Sequence, residues 1–378
     1  MIIQSFLRWA ETAKTSERAR AANALGRAWL QSAMNGEERE AALMAMTWLL
    51  DDPSPKVRLA LAEAIADAED VPRALILPLA HDQPQIACQI ILRSPVLSDV
   101  DLVDLVGRGD SVTRVLIASR FIVSMPVAAA VAEVGDAPEI ESLLDNPGAI
   151  VARSSLRRIS ERFSGHAPIR EMLLDREELP TDARHLLAVG VSESLAACDL
   201  IREVVGDRRL ERIRREACEA ATVVLAGNAP SEDMPQLVDH LRRDGRLTPA
   251  FMMQALCMGR LDFFMTSIVN LSGMDERRVR SIITDGRFHA VRALYEAAGL
   301  SREVSEVFVD ATLLWRKAEG HQPGLFGGLA SKLISGFRQA GRSDDQASEL
   351  IDMVERLSIT EHRQSARAYA SFLALAAA

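Results

Sequence analysis

The chain has 378 residues, enough for one long repeat array or for two or three globular cores. Its 53 acidic and 44 basic side chains give a formal charge of -9 and are mixed along the chain, which argues against general attraction to nucleic acid or anionic lipid but leaves room for a local basic patch. With 48% hydrophobic but only 4% aromatic residues, and with Gly and Pro spaced like punctuation, the composition excludes a mainly disordered chain and points to an all-α fold of short helices.

The opening, Met1 to Trp9, is apolar but carries no basic leader and is broken by Gln4 and Arg8. No apolar stretch approaches the roughly 18 residues of a membrane span, so the expectation is a cytoplasmic protein with no membrane span. Residues 1–50 read as two or three short capping helices. Trp9 and Ala13, then Ala24, Leu25, Ala28 and Trp29, then Met44, Trp48 and Leu49 mark their apolar faces.

Repetition follows. Asp51-Asp52-Pro53, Asp82-Gln83-Pro84, Asp110-Ser111-Val112 and Asp145-Asn146-Pro147 each place a polar turn before a new apolar helix, with Asp markers 31, 28 and 35 residues apart. That is shorter than an ideal HEAT repeat of about 40 residues but sufficient for a helical hairpin. In the first unit, Pro55 suits a first helical turn, and Val57, Leu61, Ala64, Ile65 and Ala68 form one stripe. Pro72 can start the second helix, with Leu75 and Leu79 on its apolar side and Pro78 limiting its length. Ser98 and Asp101 form a capping box ahead of Leu102, Leu105 and Val106. Val112, Val115, Leu116, Ser119, Ile122 and Val123 make the next stripe, and Ala152, Leu156, Ile159 and Phe163 another. Such hairpins leave half their apolar face open unless neighbours stack on it, so the pattern predicts a HEAT-like helical-repeat solenoid, an α-α superhelix, over residues 1–200.

Beyond residue 200 the spacing loosens. Leu210, Ile213, Ala217, Ala220 and Val224 are read as one face, with Arg208, Arg212, Arg215 and Glu219 on the solvent side. Thr248-Pro249 starts a helix in which Leu247 staples onto Met252, and Phe263, Phe264, Ile268 and Leu271 continue the apolar pattern. Phe288, Val291, Leu294, Tyr295 and Ala298 lead to a stop at Gly299; Ser301 caps a helix buried through Val304, Val307, Phe308, Ala311, Leu314 and Trp315. Residues 201–318 form a second region. Gly320, Gly324, Gly327 and Gly328 form a candidate hinge ahead of a terminal helical extension at 329–374.

The run from Leu247-Thr248-Pro249 through Gly259-Arg260-Leu261 to Phe263-Phe264, together with Val279-Arg280-Ser281-Ile282-Ile283 and the Phe288-to-Gly299 stretch, resembles the C-terminal signature of a family of uncharacterised HEAT-like-repeat proteins from alphaproteobacteria. The resemblance spans about residues 200–315 and rests on helix starts, stops and packing positions. It implies a bacterial helical scaffold and brings no catalytic residue with it.

No chemical motif stands out. The histidines, His81, His166, His185, His240, His289, His321 and His362, are mostly solitary and read as structural or surface residues, with no His-Glu-x-x-His pair. Cys88, Cys198, Cys218 and Cys257 are widely spaced and read as buried thiols rather than a disulfide or zinc framework. Ser164-Gly165-His166 and Gly190-Val191-Ser192 lack the glycine-flanked elbow of a hydrolase, Glu216 and Glu219 sit among charged neighbours, and Lys332 is displaced from the place a phosphate loop needs. No cofactor or metal is expected. Arg208, Arg212 and Arg215 form a candidate face for an acidic partner or a phosphate backbone, although interleaved acids make a solvated charged face the plainer reading. The sequence therefore points to a non-catalytic scaffold or regulatory adaptor for an unidentified protein partner. Nucleic-acid binding, with a link to DNA repair, is the alternative.

Overall fold

A computed structural model of the protein describes residues 2–31 and 34–319 and, beyond them, 330, 333–335, 350–352, 354–355 and 358–359. The described residues contain helices and no strand; a single isolated parallel bridge joins Val123 to Ala149. The candidate hinge at Gly320, Gly324, Gly327 and Gly328 lies outside the described residues, as does most of the 329–374 extension. Among the described residues no helix is long and apolar enough to cross a membrane. Contacts divide the chain into two compact units, Met1–Leu179 and Pro180–Ala378.

The first unit contains α1 (Ile2–Thr12), α2 (Thr15–Gln31), α3 (Gly36–Leu50), α4 (Pro55–Ile65), α5 (Arg73–Ala80), α6 (Pro84–Arg93), α7 (Asp99–Arg108), α8 (Ser111–Ala118), α9 (Met125–Val134), α10 (Ala137–Asp145), α11 (Arg153–Phe163) and α12 (Ala167–Leu174). Helices pack on those two places further along: α2 on α4, α4 on α6, and so on through α8 and α10 to α12, with α1–α3–α5 and, separately, α7–α9–α11 beside them. The open apolar side of one hairpin is thus covered by the next. Val57, Leu61 and Ile65 of α4 and Leu102, Leu105 and Val106 of α7 are buried, as their spacing predicts. The capping box at α7 is formed: the Ser98 amide donates to Asp101 at 2.9 Å and the Asp101 amide to the Ser98 hydroxyl at 3.4 Å.

Three predicted faces are displaced. In α2 the buried residues are Ala22, Gly26 and Trp29, while Ala24 is exposed. A Cβ on Gly26 would lie 2.7 Å from that of Ala64, so the close approach of α2 to α4 selects this face. In α3, Ala42, Ala45, Met46 and Leu49 are buried, leaving Met44 and Trp48 exposed. In α8, Ile117 and Ala118 are buried and Val112 is exposed; Ile122 is exposed beyond the helix, which stops at Ala118. The chain then runs past Val123, whose amide donates to Gly148 O at 3.1 Å and whose carbonyl accepts from the Ile150 amide at 2.9 Å. This pins two adjacent backbone segments that display Phe121, 90% exposed, together with exposed Ile122, Met125 and Ile150.

Arginines tie successive hairpins together. Arg18 grips Asp52 at 2.7 and 3.1 Å and Arg58 grips Asp82 at 2.6 and 2.9 Å, with Arg73–Asp101 and Arg93–Asp67 as further pairs. Burial raises the pKa of Asp52, but the Arg18 hydrogen bond, the Ser54 amide and the charges of Arg18 and Arg58 outweigh it and hold the carboxyl below its ordinary value. Other arginines reach the last carbonyls of an earlier helix, which have no partner inside it and carry its negative end. Arg162 donates to Ala132 O at 2.6 Å and Gly135 O at 2.8 Å, Arg120 to Ile91 O and Ser94 O, and Arg176 to Leu144 O at 2.6 Å.

The second unit contains α13 (Thr181–Ala196), α14 (Asp199–Val205), α15 (Asp207–Asn228), α16 (Met234–Arg243), α17 (Pro249–Cys257), α18 (Leu261–Ser272), α19 (Glu276–Asp285), α20 (Phe288–Ala297) and α21 (Arg302–Glu319). The sequence reading divides the chain at residue 200; by contacts α13 belongs here, packed on α15 and α16. Thr181 fixes that packing by donating its amide and hydroxyl to the buried Asp233 carboxylate at 3.1 and 2.9 Å. Further along, Phe264 stacks on Phe308 with 5.9 Å between ring centroids, and Tyr295 packs against both. The Thr312 hydroxyl proton goes to Phe308 O at 2.7 Å, so Tyr295 is the donor across its 2.6 Å contact with Thr312; burial drives the phenol pKa upward. Arg316 repeats the carbonyl tie, reaching Ile283, Gly286 and Ile282 at 2.6, 2.7 and 2.8 Å. Caps at Thr248 and Ser301 and the left-handed Gly299, φ +88°, lie where the sequence puts them.

Candidate functional site: an arginine-lined cavity beside a histidine pair

The site grows from the register of α15. The predicted face is corrected: Ile213 and Val224 are exposed, and Cys218, Thr222, Val223 and Ala226 are buried, because that side packs on α13 and α17. Arg215, Cys218 and Thr222 stand at i, i+3 and i+7, one above another on one side of the helix. Arg208 and Arg212 continue that side toward the helix start, and all three arginines are exposed. Their neighbours are partly neutralised, Arg214 by Glu211 at 2.7 Å and Arg202 by Asp207 at 3.1 Å. The Glu211 hydrogen bond raises the Arg214 pKa, and Arg214 in turn lowers that of Glu211.

Between α15 and the turn leading into α17 lies a cavity of about 240 Å³. Arg214, Arg215 and Arg246 line it with Cys218, Thr222 and Thr248, and among the described residues no carboxylate does. Behind Thr222 are two histidines that the sequence reading treats as solitary. His185, on α13, is 1% exposed; its Nδ1 is 3.1 Å from His240 Nε2 and its Nε2 is 3.0 Å from Thr222 Oγ1. Thr222 donates its hydroxyl proton to Cys218 O at 2.6 Å, so His185 Nε2 must carry the hydrogen and donate to Thr222. Nδ1 is then bare and accepts from His240 Nε2–H, which also lies 3.5 Å from Asp244. Burial, then the positive charges of His240 and Arg246, lower the His185 pKa from 6.5 to about 4, against the opposing pull of Asp244 and Asp182. The ring is neutral at physiological pH.

Cys218 is likewise committed. Ser192 gives its proton to Val189 O at 2.9 Å, so the thiol donates to Ser192 across 3.1 Å. The buried-thiol expectation holds for Cys218 and Cys257, but Cys88 is half-buried and Cys198 exposed, the latter at the start of α14, a helix with no buried residue. The Thr222 and Cys218 protons at the wall of the cavity have acceptors, and the charges that line it are cationic.

The family described as "Uncharacterised protein conserved in bacteria (DUF2336)" matches residues 86–325. The chain belongs to that family. No curated protein and no solved structure matches it. The DUF2336 match contains the stretch that carries the sequence resemblance and every residue of the arginine-lined cavity. In this DUF2336 chain only part of the site had a sequence signal. Arg215, Cys218 and Thr222 share helical spacing that a correct register would have exposed, whereas His185 and His240 are 55 residues apart and leave no periodic trace.

Proposed function

We propose that the protein is a non-catalytic scaffold or regulatory adaptor of the bacterial cytoplasm, built from HEAT-like hairpins that stack as a solenoid, and that it binds another protein. The observation that carries this reading is the apolar ledge of Phe121, Ile122, Met125 and Ile150. Large apolar side chains that a fold holds open to water, on backbone fixed by hydrogen bonds, are suited to burial in a partner without an ordering cost. The support of Phe121 is tight: a Cβ at Gly148 would fall 1.9 Å from Phe121 O, so only glycine lets the two segments meet. The exposed Arg208, Arg212 and Arg215 would favour an acidic partner and speed its approach.

A photoreactive amino acid at position 121 should cross-link a protein in bacterial lysate, and the purified component should bind the intact chain saturably. The double substitution Phe121→Asp, Ile122→Asp should weaken that binding by about tenfold or more while leaving stability within roughly 0.5 kcal/mol, since both side chains are exposed. Unchanged affinity in the double variant would remove the ledge from consideration. The alternative, nucleic-acid binding, is favoured by the arginine face alone. It requires salt-dependent association with DNA or RNA that Arg208→Glu, Arg212→Glu, Arg215→Glu abolishes.

A further inference from the structure

Of the groups that line the cavity on α15, the scaffold reading uses Arg215 alone. Arg215 and Arg246 have no carboxylate partner among the described residues, and Arg214 shares its charge with Glu211 on the helix exterior. Three guanidiniums at one concavity exceed what a single carboxylate can satisfy with two oxygens and one charge. A phosphomonoester supplies three terminal oxygens and nearly two charges at neutral pH, and each oxygen suits the planar fork of an arginine. The Thr248 hydroxyl accepts from the Phe251 amide at 3.2 Å and keeps its own hydrogen to donate. Ala250, on the first turn of α17, adds an amide that has no acceptor inside the helix. Phe251 gives the lining an apolar side for the carbon stem of an ester.

Size narrows the ligand further. At about 240 Å³ the cavity falls below the roughly 300–1,000 Å³ of sites that enclose whole cofactors or drug-sized ligands, yet it far exceeds the roughly 15 Å³ that one water requires. It fits a phosphorylated head or side chain and not a dinucleotide. We propose that the cavity lined by Arg214, Arg215 and Arg246 is a binding site for a phosphomonoester group. The group can arrive on a small metabolite or on a phosphorylated side chain, and the site shares no residue with the Phe121 ledge, so either reading can fail alone.

The test uses the full chain. Labelling with the arginine reagent phenylglyoxal, read by mass spectrometry, should show Arg215 and Arg246 protected by inorganic phosphate and not by acetate at equal ionic strength. In calorimetry Arg246→Gln should weaken binding of free O-phosphoserine by about tenfold or more, with Arg246→Lys intermediate. The labelling arm needs no substitution, so a misfolded variant would not shield the idea. A phosphoserine peptide that binds more tightly than free O-phosphoserine identifies a protein ligand, and equal affinity identifies a small ester; both outcomes support the site. Protection by acetate equal to that by phosphate, or an Arg246→Gln protein that folds and binds O-phosphoserine unchanged, would overturn it.

Discussion

Thr222 has one hydroxyl proton, and by giving it to the carbonyl of Cys218 it fixes the tautomers of two histidines at once. The His185 ring is folded into the protein in its neutral form, with its pKa at about 4 against an ordinary 6.5. Above pH 6.5 the ring is uncharged in both folded and unfolded chains and does not make stability pH-dependent. Between 6.5 and 4 the unfolded chain takes up a proton that the folded one refuses, so stability declines as the solution is acidified across this window, by up to about 3 kcal/mol, and levels off below it. Urea midpoints measured from pH 7.5 to 4.5 should show this slope in the native protein and lose most of it in His185→Gln, which is expected to be less stable at neutral pH. Equal slopes in the two proteins would reject the assignment. The paired carboxylates Asp52 and Asp82 act in a lower window: their pKa values lie below the ordinary 3.8, so the stability they confer is present above that value and disappears only as pH falls through the depressed values.

At the scale of the helix, the recurrent device is a guanidinium laid across the exhausted carbonyls of an earlier helix. Arg316 shows it most fully, with three acceptors at the end of α19. Replacing it with Met should cost about 2 to 3 kcal/mol, since charge-assisted hydrogen bonds are lost and the carbonyls are left covered; Lys should recover only part, because a point charge cannot fork to three oxygens. Urea denaturation followed by the fluorescence of the adjacent Trp315 measures both. Sequence spacing located the elements that carry strong local signals: the Ser98 box, Pro55 at the start of α4, Thr248-Pro249 and the stop at Gly299. It misplaced the faces of α2, α3, α8 and α15, where apolar and small residues lie on several sides and the neighbouring helix decides which side is covered. Gly26 shows why, since its value is the room it leaves for Ala64, a fact about another helix.

At the scale of the molecule, the two units carry separate cores, and Trp9, Trp29 and Trp48 lie in the first while Trp315 lies in the second. A fragment of residues 1–179 should therefore keep a helical circular dichroism spectrum and a cooperative urea transition seen by its own tryptophans; a featureless, gradual loss of signal would show that its core is incomplete. The all-helical class was readable from composition and spacing, because short helices with small contacts state their fold locally. The cavity was not, because it exists only when α15 and the turn before α17 have been brought together. The arginine ties of the first unit also bear on how such a chain can change in length. Arg120, Arg162 and Arg176 reach back to the spent carbonyls of an earlier helix while Arg18, Arg58 and Arg73 reach forward to an acid, so a copied segment that spans such a pair would carry both halves of its joint with it. Tandem duplication or loss of a hairpin could then leave the remaining seams intact, a route by which genes for arrays of this kind can expand or shrink without new interfaces having to evolve.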